Sequence, residues 1–346
     1  MTIAIIGPGT IGAAHTSAWR QVGAEVSYLV GRTPDATLQD APDARTVTDL
    51  DVALADPSVQ IVTICTPTPT HRAFAEASLR AGKHVLLEKP MALSVDDADA
   101  IARAAQASGR VLMVAHVVRF FDAYLRVREV VAAGRVGHPL HVRAERMIAP
   151  PGTQWWFDEE QSGGPAVDLG IHDLDQANLL LGHPIGVRAV AADAYVSAEE
   201  HASGLGASAL GAQGLGPIET TVRYENGGLA QVLSHARMPA STSFATALQV
   251  TGDAGMVATR HIGGDRPVDE FTLRGTDSEA ATRGILSEKV SSFADPYARQ
   301  AAHFLECVAS GRPSPIAPVE DAVLAVRTAL AARDSLRAGG AWMPVG

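Results

Sequence analysis

The first third of the chain alternates between short apolar runs and longer segments with helical spacing. The apolar runs are residues 3–6, 26–30, 61–65, 84–87 and 111–115. Between them lie alanine-rich segments in which apolar residues recur every three or four positions, such as 12–22, 70–81 and 95–108. Strands that alternate with helices in this way indicate a parallel sheet covered by helices on both faces.

The pattern changes after about residue 120. An amphipathic segment from Phe121 to Ala133 leads into longer strands of alternating polarity, and the glycine-containing segments 224–228 and 252–255 are typical of hairpin turns. The chain ends with two helical segments, at about 296–310 and 319–337. We therefore expect an α/β protein with a first domain at 1–120 and a second α/β domain at 121–346. The second domain should hold a mostly antiparallel open sheet, and the final helices are free to pack back on the first domain.

Composition and charge narrow the class of protein. The 346 residues are 47% hydrophobic and 19% charged, and the net charge is −10. Because there is no basic block, nucleic acid and anionic membranes are not expected as partners. The two cysteines, Cys65 and Cys307, lack metal-type spacing, and the N-terminus does not resemble a signal peptide. These features predict a protein of the reducing cytoplasm with no metal site.

Residues 201–216 are dominated by glycine and alanine. They offer little apolar surface to offset the entropy lost on ordering. We expect this segment to be poorly ordered alone, or to be held by a neighbouring subunit.

A glycine motif follows the first strand, where it would open a helix. Its residues are Gly7, Pro8, Gly9, Thr10, Ile11 and Gly12. The first glycine permits a tight turn, the second lets the backbone approach a pyrophosphate, and the third allows close contact between helix and strand. The free N–H groups of the helix then favour phosphate. In this context a dinucleotide-binding Rossmann domain is the better interpretation than an ordinary glycine-rich turn.

Two further segments follow strands of the same sheet. Thr66 and Pro67 come after the run at 61–65, with His71 close behind, and Glu88-Lys89-Pro90 comes after the run at 84–87. Ligands of such sheets bind beyond the carboxyl ends of the strands. We expect Thr66, Pro67 and the 88–90 segment to contact the cofactor, whereas contact and no contact are about equally supported for His71.

The second domain contributes a histidine between carboxylates. Asp168, His172 and Asp175 fall at i, i+4 and i+7, one face of a helix that should start near Gly170. A histidine in this setting exchanges protons near neutral pH. A metal site is the weaker interpretation because no other histidine or cysteine cluster completes a ligand shell. A solvated acidic helix face is the third.

Cofactor choice depends on the end of the second strand. Gly31, Arg32 and Thr33 stand about 20 residues beyond the glycine motif, where NAD-specific folds place an acidic residue. Arg32 can pair with a 2′-phosphate and Thr33 can add a hydroxyl. These residues favour NADP. Asp35 could still accept from a ribose hydroxyl, and Arg32 could simply face solvent, so NAD stays open.

The motifs together resemble those of the Gfo/Idh/MocA oxidoreductases. The segments that carry the resemblance are GPGTIG at 7–12, TPTPTH at 66–71, EKP at 88–90, HVVRF at 116–120, GGPAVDLGIHDLD at 163–175 and SGRPSPI at 310–316. They extend over nearly the whole chain, and EKP followed by DxGxHxxD is the most specific part. Pro165 stands where the family usually has a third glycine, and the 201–216 segment has no clear counterpart.

The resemblance implies hydride transfer between a nicotinamide cofactor and a sugar, cyclitol or related polyol. It implies that Lys89, Asp168 and His172 form the catalytic set, that Arg119 and Asp175 line the substrate pocket, and that the second-domain sheet forms dimers or tetramers. An NAD-dependent glycosidase and a nucleotide-sensing regulator are the alternatives.

Two tryptophans precede the glycine turn of the second domain. Trp155 and Trp156 could form an apolar wall against a sugar face, and core packing explains either equally well.

Overall fold

The chain folds into two compact units. The computed structural model describes residues 1–33, 38–150, 154–192, 216–264, 268–275 and 295–346. The first unit is Met1–Phe121 with Phe293–Val323, and the second is Asp122–Ser292 with Leu324–Gly346. The chain first passes from the first unit to the second after Phe121, one residue from the expected boundary after residue 120. Because the chain returns to the first unit near its C-terminal end, the second unit is not the continuous 121–346 segment.

The strands of the described residues form two separate sheets. In chain order they are Thr2–Ile6 (β1), Glu25–Val30 (β2), Arg45–Val47 (β3), Val59–Ile64 (β4), His84–Glu88 (β5), Leu112–Ala115 (β6), Pro139–Met147 (β7), Pro184–Ala191 (β8), Ile218–Tyr224 (β9), Leu229–His235 (β10), Ala245–Gly252 (β11), Gly255–Ile262 (β12), Val268–Gly275 (β13) and Met343–Pro344 (β14). Strands β1 to β6 belong to the first unit and the others to the second.

The helices agree closely with the periodicity of the sequence. They are Thr10–Gln21 (α1), Leu50–Ala55 (α2), His71–Arg80 (α3), Val95–Ser108 (α4), Asp122–Ala132 (α5), Glu159–Ser162 (α6), Pro165–Asp168 (α7), Ile171–Leu181 (α8), Pro296–Ser310 (α9) and Val319–Arg337 (α10). Local signals explain several ends. Ser94 accepts the Asp97 N–H at 3.1 Å at the start of α4, and Gly109 ends that helix at φ +63°.

The first sheet has the strand order β3-β2-β1-β4-β5-β6, and all of its pairs are parallel. This is the doubly wound order whose ligand crevice lies at the switch point between β1 and β4. Strand β3 and helix α2 were not predicted, because each is short and lacks a clear apolar run. The core under α1 includes Trp19, whose ring lies 6.2 Å from that of Phe304 on α9.

The second sheet confirms the prediction of a mostly antiparallel architecture. Its order is β13-β12-β11-β7-β10-β9-β8-β14, and β7 with β10 is the parallel pair. Both predicted hairpin turns are present, between β9 and β10 and between β11 and β12. Alternate residues are buried, and α8 packs against β7 and β10 on that face. The 201–216 segment lies, apart from its last residue, outside the described residues.

Candidate active site

The glycine loop of the first unit has the shape that a bound dinucleotide requires. Gly7 has φ +87°, and a Cβ there would lie 2.7 Å from the Cys65 carbonyl oxygen. A Cβ on Gly12 would lie 2.3 Å from the Gly7 carbonyl oxygen, so the helix and the turn touch through this glycine. A Cβ on Gly9 would meet nothing within 4 Å. Gly9, Thr10 and Ile11 are exposed, and the open N-terminal turn of α1 therefore fits a dinucleotide pyrophosphate.

His71 ties together the loops that follow β4 and β5. Its Nε2 lies 2.9 Å from the Thr66 carbonyl oxygen, and its Nδ1 lies 3.0 Å from the Pro90 carbonyl oxygen. Burial lowers the pKa of His71, although these carbonyls and the charge of Glu88 oppose the shift. The ring is 1% exposed. His71 thus links the loops after β4 and β5 through hydrogen bonds to their carbonyl oxygens. The same loops carry Thr66, Pro67 and Lys89.

Glu88 points into the protein. Its Oε1 lies 2.7 Å from His15 Nε2 on α1, and its Oε2 accepts the Lys89 backbone N–H at 3.0 Å. Burial would raise the pKa of Glu88, but the bond to His15 and the charges of His15 and Lys89 outweigh it and lower the pKa. Sequence reasoning predicted Glu88 as a cofactor contact and missed His15. The signal was a polar residue on the inner face of α1, three positions after Gly12.

Lys89 is half-buried at the carboxyl edge of the first sheet, next to the β4 loop. The chain has only three lysines, Lys83, Lys89 and Lys289. Lys83 is buried and donates to the carbonyl oxygens of Asp56 and Val59, both at 2.8 Å. Lys83 therefore has a structural role, whereas Lys89 stands at the edge where ligands of this fold bind.

The residues predicted to select the cofactor follow strand β2, and their role stays a prediction. Gly31 follows β2 directly and donates its N–H to the Val47 carbonyl oxygen at 3.0 Å. Arg32 and Thr33 are both exposed beyond it. Asp35, the alternative ribose acceptor, lies outside the described residues.

The second unit carries Asp168 and His172 on two consecutive helices. The predicted helix start near Gly170 is confirmed, since α8 begins at Ile171, but the placement of Asp168 on the face of that helix is wrong because Asp168 ends α7. The Gly170 N–H bonds the Pro165 carbonyl five residues back at 2.9 Å, which interrupts the regular ladder. A Cβ on Gly170 would lie 2.5 Å from the Ala166 carbonyl oxygen, so glycine permits this close turn.

The three predicted side chains differ in burial. Asp168 and His172 are half-buried, and Asp168 accepts the Trp156 indole N–H at 2.8 Å. Asp175 is 1% exposed and accepts from the Gln176 amide at 3.2 Å. Asp168 and His172 are thus better placed to meet a ligand than Asp175 is.

A buried ion pair next to His172 was missed by the sequence analysis. Arg146, on the inner face of β7, donates from Nε and Nη2 to the two Asp173 carboxylate oxygens at 2.8 and 2.9 Å. The side chains are 3% and 0% exposed. An ion pair joined by two charge-assisted hydrogen bonds fixes the first turn of α8, which carries His172. An arginine at an inward position of an alternating strand was the signal.

The remaining predicted substrate residues divide between core and surface. Arg119 is 1% exposed and donates from Nη1 to the Ile316 carbonyl oxygen at 2.7 Å and to Asp321 at 2.8 Å. Trp156 is buried against Leu169 and Ala236, so core packing explains it. Trp155 is exposed, and its role as an apolar wall stays a prediction.

Among the described residues, no group of three or more histidine, cysteine, aspartate or glutamate side chains could hold a metal ion. Within the same ranges no helix is both long and apolar enough to cross a membrane.

Comparison with known proteins covers both units. Residues 1–116 match the model of an oxidoreductase family with an NAD-binding Rossmann fold, GFO_IDH_MocA, and residues 124–258 match the GFO/IDH/MocA C-terminal domain. The chain is 30% identical to the 1,5-anhydro-D-fructose reductase of Ensifer adhaerens, over 94% of this chain and 93% of that protein. It is 28% identical to the myo-inositol 2-dehydrogenase of Thermotoga maritima, over 97% and 96% of the two chains. The crystal structure of a putative myo-inositol dehydrogenase from Sinorhizobium meliloti 1021 superimposes with a TM-score of 0.79 at 25% identity, covering 100% of both chains.

Proposed function

Because this chain belongs to the Gfo/Idh/MocA family of oxidoreductases, we propose that it oxidises or reduces one carbon of a sugar, cyclitol or related polyol. The observation that carries the proposal is the placement of Lys89. It follows β5 at the sheet edge where β1 ends in an open glycine loop, and only β4 lies between the two strands. A cation at this edge can meet both a bound nicotinamide and the substrate oxygen. The names of the relatives, a sugar reductase and an inositol dehydrogenase, support the substrate class.

The proposed catalytic set is Lys89, Asp168 and His172. A nicotinamide cofactor would accept or supply the hydride, and the protein's own side chains would handle the proton and the charge. His172 takes the proton of the substrate hydroxyl during oxidation and returns it during reduction. Lys89 stabilises the negative charge that develops on that oxygen. Asp168, held by the Trp156 indole, orients the site.

The proposal is tested with Lys89→Met and His172→Ala. Each should lower turnover by about two or more orders of magnitude, because an acid/base or charge-stabilising group is lost. Cofactor affinity should change much less. A panel of cyclitols, aldoses, keto-sugars and glycosides, followed by nicotinamide absorbance, identifies the substrate class. Near-normal turnover in both variants on the best substrate would contradict the assignment, and glycoside cleavage without net cofactor turnover would favour a glycosidase.

NADP is the proposed cofactor, with NAD as the alternative. Arg32 is exposed at the end of β2, where it can pair with a 2′-phosphate through two N–H groups. Arg32→Ala should erode the NADP advantage in kcat/KM by about 2 kcal/mol, the value of one charge-assisted contact, and leave NAD little affected. An unchanged NADP-to-NAD ratio would mean that Arg32 does not bind the phosphate. The matched control is Thr33→Ala, which removes a hydroxyl but no charge and should have a smaller effect.

We propose further that the open face of the second sheet joins copies of this chain into a dimer or tetramer. A groove on this face is lined by Arg143, Glu145, Arg260 and Glu270 among others. Charges of both signs let the same surface on a second copy meet it by two-fold symmetry. Light scattering should show an oligomer, and Glu270→Arg should shift it toward monomer. We place the enzyme in the cytoplasm, where the free cysteines Cys65 and Cys307 stay reduced.

A further inference from the structure

A buried contact in the first unit joins His15 on α1 to the segment that carries Lys89. His15 Nε2 lies 2.7 Å from Glu88 Oε1, and the two side chains are 1% and 10% exposed. Burying an acid beside a base is costly unless the geometry is good and the remaining oxygens are also satisfied. Here the second carboxylate oxygen accepts the Lys89 N–H at 3.0 Å. The carboxylate therefore bridges the helix and the main chain of Lys89.

Two further ionisable side chains, Tyr297 and Cys65, lie near the contact between His15 and Glu88. The Tyr297 ring from α9 meets the His15 ring edge-on at 5.2 Å between centroids. Burial raises the pKa of Tyr297, and so does the charge of Glu88, so Tyr297 is a neutral neighbour. Burial and Glu88 likewise raise the pKa of the Cys65 thiol. Glu88 is thus the charged partner of His15 in this cluster, and the charge of Lys89 acts on Glu88 from the next residue.

His15 controls the charge that faces Lys89. Burial alone would raise the pKa of Glu88, and the bond to His15 is the first of the interactions that reverse the shift. Without His15 the buried carboxyl would favour its protonated form. Lys89 would then lose a negative neighbour, and its N–H would lose a charged acceptor. Both losses act on the residue that must hold the substrate oxygen.

We propose that His15 is a positioning residue for the reaction, which acts through Glu88 to fix the backbone and the electrostatic surroundings of Lys89. The inference rests on the proposed role of Lys89. It assigns no contact between His15 and the substrate or cofactor. It predicts that His15 and Glu88 act as one unit.

The test is a double-mutant cycle with His15→Gln, Glu88→Gln and the double variant. Each single change should lower kcat by about ten-fold or more, while the dissociation constant for NADP changes less than about three-fold. The double variant should be no worse than the poorer single variant, because the second change removes a partner that is already lost. The matched control is His84→Gln. His84 lies at the other end of β5, four residues from Glu88, which is about 13 Å at 3.3 Å per residue. Its turnover should match that of the wild type.

A second measurement uses the apo protein. Trinitrobenzenesulfonate labels uncharged amines, and peptide mapping separates Lys89 from Lys83, which serves as a buried internal reference. Labelling of Lys89 should be several-fold faster in Glu88→Gln and His15→Gln, because the main chain of Lys89 loses the charged acceptor that fixes it and the amine becomes more accessible. If His15→Gln does not fold, Glu88→Gln alone decides. Wild-type kcat and wild-type Lys89 labelling in that variant would overturn the inference, and so would multiplicative losses in the cycle.

The outcomes separate this inference from the proposed function. An inactive Lys89→Met with a normal His15→Gln would refute the role of His15 and leave the proposed function standing. An active Lys89→Met would refute the catalytic assignment itself.

Discussion

Asp173→Asn should cost the protein about 3 kcal/mol of stability and loosen the helix that carries His172. In the native structure Arg146 donates two hydrogen bonds to Asp173, and both side chains are almost completely buried. Asparagine keeps one acceptor oxygen but turns an N–H₂ group toward the guanidinium, so one charge-assisted bond of about 1.5–3 kcal/mol is lost. The arginine is then left as an unpaired buried charge. Breaking a buried pair in this way typically costs about 3–5 kcal/mol.

Urea denaturation of the apo protein measures the loss, and hydrogen exchange of α8 peptides assigns it to the second unit. Arg337→Met is the matched control, because Arg337 pairs with Glu159 at 2.9 Å in the same unit but both side chains are about half exposed. That change should cost at most about 1 kcal/mol. The combined change Arg146→Met with Asp173→Leu should cost less than the two single changes together, since no charge is left unpaired. A loss in Asp173→Asn no larger than in the control would refute the reasoning.

Three further predictions concern the first unit. Gly12→Ala should weaken binding of NADP and NAD alike by at least about ten-fold, because a Cβ there would lie 2.3 Å from the Gly7 carbonyl oxygen; isothermal titration measures this, and unchanged affinity would contradict it. Burial lowers the pKa of His71 from 6.5, so its neutral form stabilises the fold above pH 6.5 and this contribution is lost as the pH falls. His71→Gln should therefore make the free energy of unfolding less dependent on pH below that value, by at most about 1.4 kcal/mol per pH unit, and an identical slope would count against it. Arg119→Met should lower the melting temperature because it leaves Asp321 and the Ile316 carbonyl without this donor; a melting temperature equal to that of the wild type would show that Arg119 has no structural role.

Several elements could be predicted from local signals alone. The helix over 95–108 has a serine cap and a terminal glycine, and the helix over 296–310 starts with Asp295-Pro296 and ends before Gly311. Capping residues and terminal glycines act on the backbone within one or two helical turns, so they can be recognised from the sequence alone. The glycine motif is of the same kind, because the turn that it needs is set by the conformational freedom of Gly7 itself.

Other features depend on hydrogen bonds and packing that the sequence pattern does not show. Thr70 stands at the N-cap position of α3, yet its side chain accepts no backbone N–H there; its hydroxyl lies 2.7 Å from the Thr66 hydroxyl and 2.8 Å from the Pro67 carbonyl oxygen. The division between α7 and α8 follows from a carbonyl five residues back, which periodicity cannot show. Arg119 lies in a family motif and Trp156 precedes the glycine turn, which suggests ligand contact for both, yet packing buries both side chains.

The sequence by itself determined the class of the fold, its two-part organisation and the identity of the residues at the strand ends. These features follow from hydrophobic periodicity, helix caps and glycine turns, each of which depends on residues close together in the chain. Only the tertiary structure decided which of those residues meet. His15 and Glu88 are 73 positions apart and Arg146 and Asp173 are 27 apart. In each pair the sequence shows at most one polar residue at an inward position and never its partner, since a buried charge is stable only when the fold brings a partner to it.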